Sequence, residues 1–228
     1  MANVPEQQHY ARKKTIFIVD DHPLLRQGLA LLINQQNDLE VCGEAQEAHA
    51  VMPALAKKLP DILIVDISLN GPDGLELLKN IRLAFPELPV LILSMHDEAI
   101  YAERALRARA NGYIMKQEAT EKVLVAVRRI LGGEVYLSDR MANKMLQQYI
   151  GGTPSSIHSR ISALSDRELE VFCLIGEGRG TREIADELHL SVKTVETYQA
   201  RIKEKLLLRS GRELIQHAIQ WKIDEQTT

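Results

Sequence analysis

Two different periods divide the 228-residue chain. From Lys14 to about Leu131, short apolar runs alternate with segments of helical period. The runs are T-I-F-I-V (15–19), L-E-V-C-G (39–43), I-L-I-V-D (62–66), V-L-I-L-S (90–94) and N-G-Y-I-M-K (111–116). Four are continuous rather than alternating, the pattern of strands buried on both faces. The amphipathic segments between them, at 23–34, 47–58, 74–83, 98–108 and 120–131, predict helices. Five βα repeats of this kind predict a doubly wound α/β domain around a five-stranded parallel sheet.

After Gly132 and Gly133 the strand pattern stops. Residues 138–150 predict a short helix, and G-G-T-P-S-S (151–156) reads as a flexible linker. From Ile161 onward the text is helical, with a start signal before each helix. Ser165 and Glu168 form a capping box, as do Ser210 and Glu213, while Thr181 and Ser191 are N-cap candidates. The expected organisation is a flexible tail over 1–13, an α/β domain over 14–132, a linker with a short helix over 133–157, and an all-α four-helix domain over 158–228.

Composition excludes some classes and leaves others open. Hydrophobic residues make up 45% and charged residues 26%, as in ordinary globular proteins. No apolar run approaches the length of a membrane span, and the N-terminus lacks a signal-peptide core. Cys42 and Cys173 are too few for a disulfide framework or a zinc site, and read as reduced thiols. The net charge of −3 says little about partners.

Placement says more. In a parallel doubly wound sheet the functional crevice lies at the carboxyl ends of the strands. Asp20 and Asp21 follow the first run, Asp66 ends the third, Ser94 the fourth and Lys116 the fifth. Three carboxylates beside one ammonium leave an excess of negative charge, which either protonation or a cation must balance. Hard oxygen ligands suit magnesium. A carboxylate beside such an ion can attack phosphorus, while the metal and Lys116 offset charge on the transferring group. Any one of these residues could be a turn or helix cap; five suitable residues at four strand ends are a constellation.

I-V-D-D-H-P, I-V-D-I-S, L-I-L-S-M-H-D-E and N-G-Y-I-M-K resemble the receiver domain of two-component response regulators, over nearly all of 14–131. The resemblance implies that Asp66 is the phosphoacceptor and that Asp20, Asp21, Asp66 and the backbone carbonyl of Ser68 hold Mg2+ or Mn2+. It implies that Ser94 and Lys116 contact the phosphoryl group and that Tyr113 is an aromatic switch. Two departures stand out: Asn70 and Pro72 replace the common loop pattern after Asp66, and Arg109 stands where a glycine often ends the fourth helix.

In the second half, two helices meet at a turn around His189–Ser191, the spacing of a helix-turn-helix. Val192, Val195, Tyr198, Ile202 and Leu206 form the apolar stripe of the second helix. Lys193, Thr197, Ala200, Arg201 and Glu204 lie opposite, with Glu196 at the edge. From Val192 to Arg212 there are six basic and two acidic residues, a basic stretch in an acidic chain and the footprint of phosphate-backbone contact. Charge alone describes any solvated helix. The pattern L-S-D-R-E-L-E-V-F, E-I-A-D-E-L, S-V-K-T-V-E-T-Y and I-K-E-K-L, however, resembles the LuxR-type output domain of the NarL/FixJ branch, over 158–223. By that resemblance Glu196, Thr197 and Ala200 face base edges, and Lys193, Thr194, Arg201, Lys203 and Lys205 lie nearer the DNA backbone. Glu196 stands where many relatives carry lysine; it can accept from cytosine N4 but repels phosphate.

Together these readings imply a cytoplasmic bacterial transcription regulator rather than an enzyme. Its partners would be a sensor histidine kinase, double-stranded promoter DNA, RNA polymerase and, on activation, a second copy of itself, with no membrane. The last helix, with Leu214, Ile215, Ala218, Ile219 and Trp221, either supplies a dimer surface or closes the four-helix core. A magnesium-dependent phosphatase is the rival enzyme class, but such enzymes usually carry a second Asp two residues after the first, where this chain has Ser68. A receiver that is never phosphorylated and serves only as a platform is the rival binding module; the full set Asp20, Asp21, Asp66, Ser94 and Lys116 argues against it.

Overall fold

A computed structural model describes residues 12–69, 74–95, 98–151, 161 and 163–227. Most of the expected N-terminal tail, the linker residues after Gly151, and Asn70 and Pro72 lie outside the described residues. The chain forms two compact units, the first ending at Asp139 and the second beginning at Arg140.

The first unit runs β1 Lys14–Val19, α1 Pro23–Asn34, β2 Leu39–Ala45, α2 Ala48–Lys57, β3 Ile62–Asp66, α3 Gly74–Ala84, β4 Val90–Ser94, α4 Glu98–Arg107 and β5 Gly112–Met115. A 3-10 turn over Lys116–Glu118 then leads into α5 Ala119–Leu131. The strands form one parallel sheet in the order β2-β1-β3-β4-β5. Every residue of β3 and β4 is buried, as their unbroken apolar runs require, while the edge strand β2 exposes Glu40 and Glu44. Ile16, Ile18, Ile62, Ile64, Leu91, Leu93 and Ile114 form one face of the sheet. Against it α5 lays Ala119, Val123, Ala126, Val127 and Ile130, a stripe of helical period. The strand order reverses between β1 and β3, so the crevice at their carboxyl ends is the topological switch point.

One departure from the expected boundaries has a physical cause. The first unit does not stop at residue 132. Tyr136 returns to the sheet edge, where its N–H donates to the Asn111 carbonyl at 2.9 Å and its own carbonyl accepts from the Tyr113 N–H at 3.0 Å. Two residues on, the Ser138 N–H donates to Glu98 Oε1 at 3.0 Å and its hydroxyl to Glu98 Oε2. This long-range return ties part of the expected linker to the α/β domain. The end of α4, which lacks glycine, is built by Arg109 adopting φ 67. Its carbonyl accepts from Arg82 Nε at 2.8 Å, and Arg82 also reaches Asn111 Oδ1 at 2.9 Å.

The second unit comprises α6 Asp139–Gly151, α7 Asp166–Gly176, α8 Thr181–Glu187, α9 Val192–Leu206 and α10 Gly211–Thr227. Asp139 itself clusters with the first unit. Leu169, Phe172, Ile184, Val195, Ile202, Leu214, Ala218 and Trp221 are buried within the second unit, with the Phe172 and Trp221 rings 5.5 Å apart. The Ser165–Glu168 capping box is complete: the Glu168 N–H donates to Ser165 Oγ, and Glu168 Oε2 accepts from the Ser165 N–H. Ser191 caps α9 by accepting from the Thr194 N–H at 3.0 Å. Ser210 accepts from the Glu213 N–H, but Glu213 reaches back to the Arg209 N–H rather than to Ser210. Thr181 is not a cap. Gly180 holds that position, with Glu183 accepting from its N–H at 2.7 Å, and Thr181 is the first helical residue.

Candidate functional site

Strand alternation explains how the charged residues of the first unit meet. Asp20, Asp66 and Lys116 each stand two positions beyond an apolar residue of the α5-facing cluster: Ile18, Ile64 and Ile114. The sheet face that is isoleucine below becomes carboxylate, carboxylate and ammonium at its carboxyl end. Lys116 Nζ donates to Asp66 Oδ2 at 2.6 Å and lies 2.9 Å from Asp20 Oδ2. The latter contact is an ion pair not aligned for a hydrogen bond, so the buried Asp20 Oδ2 has no hydrogen-bond partner. The other Asp66 oxygen, Oδ1, accepts from the Ser68 N–H at 2.9 Å. Gly74 makes the tight loop after Asp66 feasible, since a Cβ there would stand 2.4 Å from the Asp66 carbonyl oxygen.

Ser94 and Tyr113 belong to the other face. Leu93 pairs with Asp66, and Ile92 pairs with Tyr113, so alternation puts Ser94, Ile92 and Tyr113 on one side of the sheet. Ser94 is fully buried and Tyr113 nearly so. Asp66 thus ends its strand with Lys116 on its own face and Ser94 at the end of the neighbouring strand.

The pocket is costly for a charge. Burial pushes the Asp66 carboxyl up, the Lys116 charge and hydrogen bond and the Ser68 N–H pull it back, and the balance stands at about 6. Donor atoms from Asp20, Asp21, His22 and Asp66 all lie within 4.8 Å of one another. Hard carboxylate oxygens in excess of the one ammonium, with a buried oxygen lacking a hydrogen bond, are compatible with Mg2+. His22 is the residue that reading the chain did not select: its ring Nδ1 is 2.6 Å from Asp21 Oδ1 and 3.3 Å from Lys116 Nζ. Its only sequence signal is adjacency to Asp21, which marks any N-cap before a proline equally well.

The second unit presents α9 after a tight turn. His189 adopts φ 53, and the Leu190 N–H donates to the Ala185 carbonyl at 2.8 Å, redirecting the chain from α8 into α9. Lys193, Glu196, Thr197, Ala200 and Arg201 are exposed, and Thr194 and Lys203 half-buried. One expectation changes here, and two side chains expected near DNA have partners within the unit. Val192 is 40% exposed rather than part of the apolar stripe, which Val195, Ile202 and Leu206 carry. The Thr194 hydroxyl is engaged with Ser191 Oγ at 2.7 Å. The Lys205 ammonium donates to Glu168 Oε2 at 2.6 Å and to the Ala163 carbonyl at 3.2 Å. Burial would raise the Glu168 carboxyl, but Lys205 and the Ser165 N–H and hydroxyl together hold it below the ordinary value. Of the two alternatives expected for the last helix, closure of the core is seen in Leu214, Ala218 and Trp221, which are buried, while Ile215, Ile219 and Ile223 are exposed at intervals of four on the same helix.

Comparison with known proteins agrees with both halves. Residues 16–128 match the response regulator receiver domain, and residues 162–218 match the bacterial regulatory proteins of the luxR family. The oxygen regulatory protein NreC of Staphylococcus carnosus is 36% identical over 212 residues, covering 91% of this chain and 98% of NreC. RcsB from Salmonella enterica serovar Typhimurium, solved bound to promoter rprA in the presence of phosphomimetic BeF3−, is 27% identical with a TM-score of 0.60, covering 90% of this chain and 98% of that one. A structure of two RcsB dimers bound to two parallel DNAs matches at 26% identity and a TM-score of 0.56, over 90% of this chain and 98% of that one. Among the described residues no helix is long and apolar enough to cross a membrane. A receiver-type pocket, a helix-turn-helix and relatives matched along nearly their whole length lead to one assignment: the chain belongs to the NarL/FixJ-type response regulators, DNA-binding transcription regulators that join a receiver domain to a LuxR-type output domain.

Proposed function

We propose that Asp66 accepts a phosphoryl group from the phosphohistidine of a sensor kinase, and that the resulting acyl phosphate promotes dimerisation and promoter binding through α9. The observation that carries this reading is Asp66 itself: a buried strand-end carboxylate, 2.6 Å from a nearly buried ammonium, in a pocket with more carboxylates than cations. In the transfer an Asp66 oxygen attacks phosphorus. The P–N bond to the donor histidine breaks, its electron pair stays on the imidazole nitrogen, and a mixed carboxylic-phosphoric anhydride forms. With its carboxyl at about 6, Asp66 is mostly the nucleophilic anion at neutral pH. Lys116 is positioned to offset charge on the transferring oxygens. Asp20, Asp21, Asp66 and the Ser68 carbonyl would hold Mg2+ or Mn2+, which would neutralise further phosphoryl charge when bound. Ser94 then turns its hydroxyl to the phosphate, and Tyr113, on the same sheet face, repacks in response.

On the output side, Glu196, Thr197 and Ala200 meet base edges, and Lys193, Arg201 and Lys203 the phosphates. Exposed Ile215, Ile219 and Ile223 give α10 an apolar face for a second copy, and RNA polymerase is the downstream partner at the promoter. Intact mass after incubation with a small phosphodonor tests the first step. One phosphate is expected on the wild type with magnesium, and none on Asp66→Asn or after chelation. Incorporation by Asp66→Asn would overturn the assignment. Steady turnover of a phosphate ester would favour the phosphatase class instead.

A further inference from the structure

We infer that His22 is a nitrogen ligand of the acidic pocket, so that the site is a mixed nitrogen and oxygen centre that prefers Mn2+ and ions later in the first-row series to Mg2+. This rests on the reading of the pocket as a divalent-cation site. His22 Nδ1 lies 3.3 Å from Lys116 Nζ. That contact makes Nδ1 the ring nitrogen that faces the pocket, and in the tautomer with its proton on Nε2 it offers a lone pair there. The same atom stands 2.6 Å from Asp21 Oδ1 and 3.4 Å from Asp20 Oδ1. Asp21 Oδ1 is buried and has no hydrogen-bond partner, because the imidazole is not aligned to donate to it. In that tautomer the imidazole nitrogen and the carboxylate oxygen are two electron-pair donors on one side of the pocket, an arrangement that a shared cation would hold together. Neighbouring ligands of an octahedral ion at about 2.1 Å stand about 3 Å apart, the scale of these separations.

The local backbone supports the placement. The His22 N–H donates to Asp20 Oδ1 at 2.8 Å, and Pro23 follows as the first residue of α1, so the backbone that carries the ring is held on both sides. His22 makes no side-chain cap for that helix, so its ring is not already used there. Asp20 Oδ2, a second buried oxygen without a hydrogen bond, lines the same pocket. Magnesium dehydrates reluctantly and takes oxygen ligands, whereas imidazole favours the transition ions, with affinity rising from Mn2+ toward Ni2+.

The test uses the full chain and the metal alone. Mn2+ binding is followed by loss of the free-ion paramagnetic signal, Mg2+ by its competition against Mn2+, and the ligand by 14N modulation of the bound Mn2+ signal. Wild type is expected to show nitrogen modulation and to prefer Mn2+ by at least about tenfold. His22→Ala and His22→Gln should lose the modulation and about tenfold in Mn2+ affinity, with Mg2+ affinity changed less than about twofold. Bound Mn2+ without nitrogen modulation, or equal losses for both ions, would overturn the role of His22 while leaving the cation site intact. No binding of either ion, or binding indifferent to Asp21→Asn, would overturn the cation site itself and this inference with it.

Discussion

The two functional regions of this regulator place their side chains in opposite conditions. Asp20 and Asp66 are fully buried and Lys116 is 7% exposed, each held by the others. Lys193, Glu196, Thr197, Ala200 and Arg201 stand in solvent on α9, and the packing behind them is done by Val195, Ile202 and Leu206. Chemistry on phosphorus needs charges fixed before the substrate arrives, in surroundings where their fields are strong. Reading DNA needs charges that remain available to a highly charged partner. On the proposed reading, therefore, function and stability share the same residues in the first unit, and in the second they are separated by the two faces of one helix. Lys205 marks the boundary, because it lies on α9, the helix proposed to read DNA, and is paired with the buried Glu168.

That contrast can be broken by mutation. The largest effect is expected for Lys116→Met. Removing the ammonium leaves buried carboxylates unbalanced and should cost about 3–5 kcal/mol of unfolding free energy in metal-free buffer. Arg201→Met, on the exposed face, should change stability by less than about 0.5 kcal/mol. Urea denaturation of both variants measures the difference, and equal small losses would show that the pocket is far wetter than its burial implies.

Next in size is a pH effect confined to the first unit. The Asp66 carboxyl stands at about 6 in the folded state against the ordinary 3.8, so between those values the native protein binds a proton that the unfolded chain releases. Its stabilising contribution is full below 3.8, declines as pH rises through 6, and is lost above that. Relative to Asp66→Asn, the metal-free wild type should lose about 2–3 kcal/mol from about pH 4 to pH 7. Parallel stability profiles for the two proteins would remove the effect.

Lys205 sharpens the comparison within a single helix. Lys205→Ala should cost about 1–2 kcal/mol by leaving Glu168 buried without its cation, yet leave the salt dependence of DNA binding unchanged. Lys193→Ala and Arg201→Ala should do the reverse, each lowering the slope of log affinity against log salt by about one. Titrations at several salt concentrations separate the two classes. The smallest effect belongs to backbone conformation: Arg109 at φ 67 and Leu207 at φ 58 occupy the left-handed region. Replacing either by glycine should stabilise its unit by about 0.5–1 kcal/mol, read as a shift in unfolding midpoint.

How much of this was legible in the chain depends on the range of the interaction that decides it. The strands at 62–66 and 90–94 fall where their apolar runs stand, because burial on both faces leaves an uninterrupted signature. The charged cluster was legible through topology, since a parallel sheet must bring its strand ends together. The Lys205 ion pair was not legible because its partner lies 37 residues away, and helical periodicity shows which face a lysine is on but not which acid it meets. Tyr136 was assigned to a linker because nothing in G-G-E-V-Y announces a bridge back to Gly112. Thr181 outranks Gly180 as a cap on residue preference, but the box is closed by Glu183 reaching a backbone N–H, for which a glycine serves.

Lys116 and Asp66 are 50 residues apart, and Lys116 and His22 are 94 apart. During synthesis, then, the acidic residues leave the ribosome long before the one ammonium that balances them, and the pocket does not exist until the last strand has docked. A nascent or proteolytically shortened chain ending before β5 would carry Asp66 without its counter-charge. On the proposed reading of Asp66, competence to accept a phosphoryl group is thereby contingent on completed folding.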